Sequence, residues 1–113
     1  AAANGDKFTL TDDTHAAAAG ADVVFTDVWA SMGMEGEAQQ RRAAFTGYQV
    51  NDELLSVCAR DVMVQHCLPA HRGEEITESV FEAHANEIFD EAENRLHAQK
   101  AVMVKLMEKP PLF

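Results

Sequence analysis

Two short apolar runs, Ala21 to Thr26 (ADVVFT) and Asp61 to Gln65 (DVMVQ), constrain this chain more than any other feature. Each breaks abruptly into polar residues, the first at Asp27-Val28-Trp29 and the second at His66-Cys67-Leu68-Pro69, where proline closes off any further ladder. Apolar, β-branched runs of this length read as strands buried on both faces, the habit of parallel sheets.

Between the runs the residues are helix-forming. Thr11-Asp12-Asp13-Thr14 offers capping oxygens to the alanine-rich stretch His15 to Ala19, which Gly20 ends. Glu35 to Phe45 holds good helix formers, Gly47 to Val50 connects, and Asn51 caps a second helix through Asp52, Leu54, Leu55 and Val57. Lys7 to Leu10 is a short β-prone run. Downstream, the pattern predicts a short helix over Thr77 to Ala83, a short strand over Glu87 to Phe89 and a long helix over Glu91 to Met107, stopped by Pro110-Pro111. In that helix Leu96, Val102, Val104, Leu106 and Met107 supply apolar surface, and Ala98 and Ala101 allow close packing. Strand and helix in alternation predict an α/β fold, an open, mostly parallel sheet with helices on both faces.

At 113 residues the chain suits a single domain, and 47% hydrophobic content suffices for one modest core. A formal charge of -10 repels nucleic acid and anionic membrane surfaces, so neither is an expected partner. No apolar run approaches the ~20 residues needed to span a bilayer, and the opening AAANGDKF lacks the regions of a signal peptide. A soluble protein with reduced Cys58 and Cys67 is expected, since two cysteines make no disulfide framework. The start at Ala1, without methionine and almost at once strand-like, suggests an upstream portion outside this sequence.

Ligands of open α/β sheets bind beyond the carboxyl ends of strands. Three polar clusters fall at such predicted ends: Asp27 to Gly33, His66 to Gly73 and Asp90 to Arg95. Each also has a plain structural explanation. Asp27 can begin a turn and Ser31 cap a helix; Cys67 can fill apolar space. Arg72, Glu74 and Glu75 can be solvated loop charges, and Arg95 can pair with Glu91 along a helix. His66, Cys67 and His71 invite zinc, yet three ligands on one loop with no second pair at finger spacing make a poor structural site, and no metal is expected. Glycine-rich phosphate loops and a Gly-X-Ser-X-Gly elbow are absent, so a nucleotide enzyme is unsupported.

Taken in order, Thr26-Asp27-Val28-Trp29-Ala30-Ser31-Met32-Gly33, His66-Cys67-Leu68-Pro69 and Asp90-Glu91-Ala92-Glu93-Asn94-Arg95 resemble ornithine carbamoyltransferase. The Ser-Met-Gly loop discriminates, because His-Cys-Leu-Pro is shared with relatives that use other amines. The resemblance implies a Rossmann-like ornithine-binding domain, incomplete at its N-terminal side, of which residues 1–113 are the C-terminal portion. The family's Ser-X-Arg-Thr-Arg phosphate loop, His-Pro-X-Gln segment and ornithine-binding asparagine would lie upstream, in and beyond a carbamoyl-phosphate domain absent from this chain.

The implied reaction moves a carbamoyl group from carbamoyl phosphate to the δ-amine of L-ornithine, giving citrulline and phosphate without a cofactor. By the same resemblance Asp27 and Ser31 hold the α-ammonium and the Met32 backbone N–H meets the carboxylate. Cys67 lies against the δ-amine, the carbonyls of Cys67 and Leu68 take the carbamoyl N–H protons, and Leu68-Pro69 is a cis peptide. Arg95 donates to the carbamoyl oxygen, Trp29 packs the loop base, and His66 shapes the cysteine loop. A cytoplasmic homotrimer of arginine metabolism is implied, its active site shared between subunits. Two alternatives stay open: a paralogue acting on putrescine or acetylornithine, with changed contacts near Asp27 and Met32, and a noncatalytic ligand-binding remnant.

Overall fold

In a computed structural model, described for residues 5, 7–30 and 35–108, the chain folds around two parallel strands, β1 (Val23–Thr26) and β2 (Met63–His66). Helix α1 (Thr14–Ala18) precedes β1; α2 (Ala38–Ala44), entered through a 3-10 turn at Glu35–Glu37, and α3 (Asp52–Leu55) lie between the strands; α4 (Glu78–Ala83) and α5 (Ala85–Met107) follow. The α/β alternation is as the sequence predicts.

The short helices begin where side-chain oxygens can satisfy free N–H groups. Asp13 accepts from Ala16 N at 2.9 Å, Asn51 from Leu54 N at 2.9 Å and Thr77 from Val80 N at 3.3 Å. Gly20, at φ 70°, turns the chain out of α1 toward β1 in a conformation that side chains disfavour.

Register decides what each strand face does. Val24 pairs with Val64 and Thr26 with His66, so these four share one face; Val23, Met63, Phe25 and Gln65 share the other. The first face joins the core, where Val64, Ile76, Val80 and Ile88 are fully buried among Val50, Leu54 and Phe81. The second is open, with Phe25 68% exposed. The expectation that Ala21 to Thr26 is buried on both faces is therefore corrected, because no described residue covers Phe25.

Three further expectations change. Lys7 to Leu10 is not a strand: no described neighbour offers it a ladder, and Phe8 and Leu10 are exposed. Glu87 to Phe89 is not a strand either but the first turns of α5, with Ile88 N bonded to His84 O at 3.1 Å and Ile88 buried against the core. A single helix thus carries Asp90 to Arg95 past β2, so that cluster lies on a helix flank instead of a strand end. Glu75 is no solvated charge; it is fully buried. Toward its end α5 leaves the body of the protein, and Leu96, Val102, Val104, Leu106 and Met107 are exposed. Pro110 and Pro111 lie outside the described residues. Among those described, no helix is long and apolar enough to cross a membrane.

Candidate active site

Parallel pairing of Thr26 with His66 sets the next residue of each strand, Asp27 and Cys67, side by side at the carboxyl end of the sheet. The Cys67 thiol donates to Asp27 Oδ1 at 3.4 Å, and the same oxygen accepts from Val28 N at 2.8 Å. Burial pushes the Cys67 thiol above its ordinary range, and the hydrogen bond to Asp27, the Asp27 charge and the Glu91 charge push the same way; a backbone N–H opposes them. Cys67 is accordingly a neutral thiol at physiological pH in the ligand-free protein. Cys58, also free, packs against the core and donates to Leu54 O.

After Cys67 the chain turns sharply. Leu68 takes φ 55° and the Leu68-Pro69 peptide is cis, as the resemblance implies. The turn is tied from below: Leu68 N–H donates to His66 Nδ1 at 2.9 Å, which leaves the ring proton on Nε2, facing Glu75 Oε1 at 2.9 Å. Glu75 Oε1 also accepts from His71 N at 2.7 Å. Both His66 and Glu75 are fully buried, and Glu75 Oε2 has no partner among the described residues.

Glu75 is the residue that sequence reasoning missed. The available signal was alternation: His66 lies two residues beyond Val64 on one strand face, and a histidine on a buried face needs a polar partner.

A cleft of about 640 Å³ opens over the two strand ends, walled by Asp27, Val28 and Ala30 on one side and Cys67, Leu68 and Pro69 on another. Arg95 reaches it from α5 with no carboxylate partner among the described ion pairs, so the expected alternative pairing with Glu91 does not form. Arg42, His71 and Glu74 complete the wall, and Arg42 Nη2 lies 2.7 Å from Glu74 Oε1. The hydrogen bond and charge of Glu74 raise the Arg42 pKa further, so this guanidinium stays cationic. Trp29 stacks on Phe45 at 6.2 Å between ring centroids, and Phe45 meets Tyr48 edge-on. Ser31, Met32 and Gly33 lie outside the described residues.

Asp27, His66 and Cys67 bring ligand atoms within 4.8 Å of one another, as do His71, Glu74 and Glu75. In each set several of those atoms are already engaged. Both His66 nitrogens are engaged, Glu74 holds Arg42, and Glu75 Oε1 already accepts two hydrogen bonds. The cleft therefore offers a carboxylate suited to an ammonium, a thiol beside it, and a guanidinium, without a carboxylate partner among the described residues, suited to developing negative charge on oxygen.

The family model for the aspartate/ornithine carbamoyltransferase Asp/Orn binding domain matches residues 1–106. The chain is 57% identical over 107 residues to an ornithine carbamoyltransferase of Methanosarcina acetivorans, covering 95% of this chain and 35% of that protein. With the ornithine carbamoyltransferase of Campylobacter fetus it shares 61% identity over 95 residues, 84% of this chain and 31% of that protein. Its fold matches the crystal structure of an anabolic ornithine carbamoyltransferase from Campylobacter jejuni with a TM-score of 0.79 at 44% identity, over 83% of this chain and 31% of that one. The chain spans about a third of the length of the curated relatives it matches. This chain belongs to the aspartate/ornithine carbamoyltransferase family, in the part that forms the Asp/Orn binding domain.

Proposed function

We propose that the chain is the C-terminal portion of the ornithine-binding domain of an ornithine carbamoyltransferase, which transfers the carbamoyl group of carbamoyl phosphate to the δ-amine of L-ornithine. The observation that carries this reading is the placement of the Cys67 thiol 3.4 Å from Asp27 Oδ1, in a cleft that Arg95 also lines.

The chemistry follows from those groups. Asp27, with Ser31, binds the α-ammonium, and the Met32 N–H receives the α-carboxylate, which leaves the δ-amine directed toward Cys67. The neutral amine attacks the carbonyl carbon of carbamoyl phosphate; charge grows on the carbonyl oxygen, where Arg95 stabilises it. The Cys67 and Leu68 carbonyls accept from the carbamoyl NH₂ and hold that plane. The bond from carbon to the phosphate oxygen then breaks, phosphate leaves with the electron pair, and the amine gives up its proton.

A neutral thiol cannot accept that proton, so Cys67 takes it only as a thiolate, after its own proton has passed to solvent. Burial is the main cause of the raised thiol pKa; an ammonium on Asp27 offsets the smaller contribution of the Asp27 charge, so the thiol releases its proton more readily once ornithine is present. Proton transfer of this kind is worth ~100 to 10,000-fold in rate. His66 and Pro69 hold the cysteine turn in shape and Trp29 supports the base of the ornithine loop. The phosphate grip comes from a carbamoyl-phosphate domain outside this chain, and the whole acts as a cytoplasmic homotrimer in arginine metabolism.

The test is citrulline formation by the full-length protein from ornithine and carbamoyl phosphate, with acetylornithine and putrescine as competing amines. Ornithine should be preferred. Preference for either competitor, or no product from any amine, would reject the assignment.

A further inference from the structure

Helix α2 has no buried residue, so it lacks the apolar seam that fixes most helices to a protein. It nevertheless borders the cleft, where Ala38 and Arg42 join Asp27, Val28 and Ala30 in the lining. Of the two arginines near its end, Arg41 pairs with Glu37 inside the same helical region. Arg42 instead crosses to Glu74, thirty-two positions away in sequence, with Nε at 2.9 Å and Nη2 at 2.7 Å from one carboxylate oxygen.

The acceptor side is well anchored. Gln49 Nε2 donates to Gly73 O at 3.0 Å and Glu74 O at 2.8 Å, which clamps the turn that carries Glu74. The next residue, Glu75, is the buried carboxylate beneath the Cys67 loop. Arg42 and Glu74 both line the cleft, so the pair joins α2 to the turn that follows the cysteine segment.

We propose that Arg42 and Glu74 are positioning residues for the amine substrate, an ionic tie that holds α2, one border of the cleft, at a fixed distance from the cysteine loop. The inference rests on the amine-substrate reading of the cleft. It assigns no contact with carbamoyl phosphate, so the two substrates should respond differently to its loss. Because both side chains touch solvent, the tie is also open to screening by salt.

Steady-state kinetics of the full-length protein tests this at about 0.05 M and 0.5 M ionic strength. At low salt, Arg42→Ala and Glu74→Ala should each raise the KM for ornithine roughly two- to fivefold, the scale of an exposed ion pair. The KM for carbamoyl phosphate and kcat should hold. The charge exchange Arg42→Glu with Glu74→Arg should recover most of the loss, and salt should raise the wild-type KM by a larger factor than that of the alanine variants. Single variants that match wild type, equal losses for both substrates, or no recovery in the exchange would overturn the proposal. A wild-type protein that makes no citrulline would instead overturn the functional reading beneath it.

Discussion

Replacing Glu75 tests whether the cleft stands on a buried polar support. Glu75→Ala removes the acceptor of two hydrogen bonds, from His66 Nε2 at 2.9 Å and from His71 N at 2.7 Å. Each donor left buried and unmet costs about 1–3 kcal/mol, so the sum is about 2–6 kcal/mol. Breaking one side of a buried pair typically costs about 3–5 kcal/mol. The wild-type carboxylate already carries an unpartnered Oε2, and relief of that burden moves the expectation to about 2–4 kcal/mol. Glu75→Gln keeps an oxygen acceptor while losing charge assistance, and should fall by only about 1–2 kcal/mol. Equilibrium urea unfolding followed by far-ultraviolet circular dichroism measures both. If alanine lies within about 0.5 kcal/mol of wild type, the scale of ordinary surface substitutions, the support is not what holds the turn. If glutamine equals alanine, the retained acceptor has no value and the hydrogen-bond argument fails.

Asp27→Asn removes a charge that raises the Cys67 pKa, so the thiol titrates lower and iodoacetamide should alkylate Cys67 faster near pH 8; an unchanged pH profile would sever the two residues. The same variant should weaken ornithine far more than carbamoyl phosphate in the full-length enzyme, and equal losses would remove Asp27 from the ammonium site. Arg95→Ala should lower kcat by ~100 to 1,000-fold, as expected for an oxyanion donor, with near-normal turnover counting against that role. Asp13→Ala deletes the cap on Ala16 N and should destabilise the chain by about 1 kcal/mol in a thermal melt, while Asp13→Asn should hold close to wild type.

What the sequence disclosed was mostly short-range. Asp13 and Asn51 were readable as caps because a cap needs only the two or three residues after it, whereas Thr77, expected as the first helical residue, is itself the cap. The strand cores were readable from their β-branched runs, and the meeting of Asp27 with Cys67 follows once those strands are parallel neighbours. Glu87 to Phe89 misled because Ile88-Phe89 is an apolar pair too short to distinguish the two periodicities; tertiary burial of Ile88 decided for helix. Lys7 to Leu10 misled because strand propensity has no force without a ladder partner. Glu75 was hidden for a different reason: two adjacent glutamates look alike in sequence, yet Glu74 holds an arginine at the cleft wall while Glu75 faces inward beneath it. Nothing local distinguishes them.

The register of β1 against β2 also acts as a vernier for the chemistry. Neighbouring residues along a strand are about 3.3 Å apart and point to opposite sides. A slip by one position would carry Asp27 out of reach of Cys67 and exchange which of His66 and Cys67 looks inward. The contact that resists such a slip is Val24 against Val64, three residues upstream of the pair it serves. Substitutions there touch nothing in the cleft, yet a loosened valine pair would surface as altered thiol reactivity before it surfaced as unfolding.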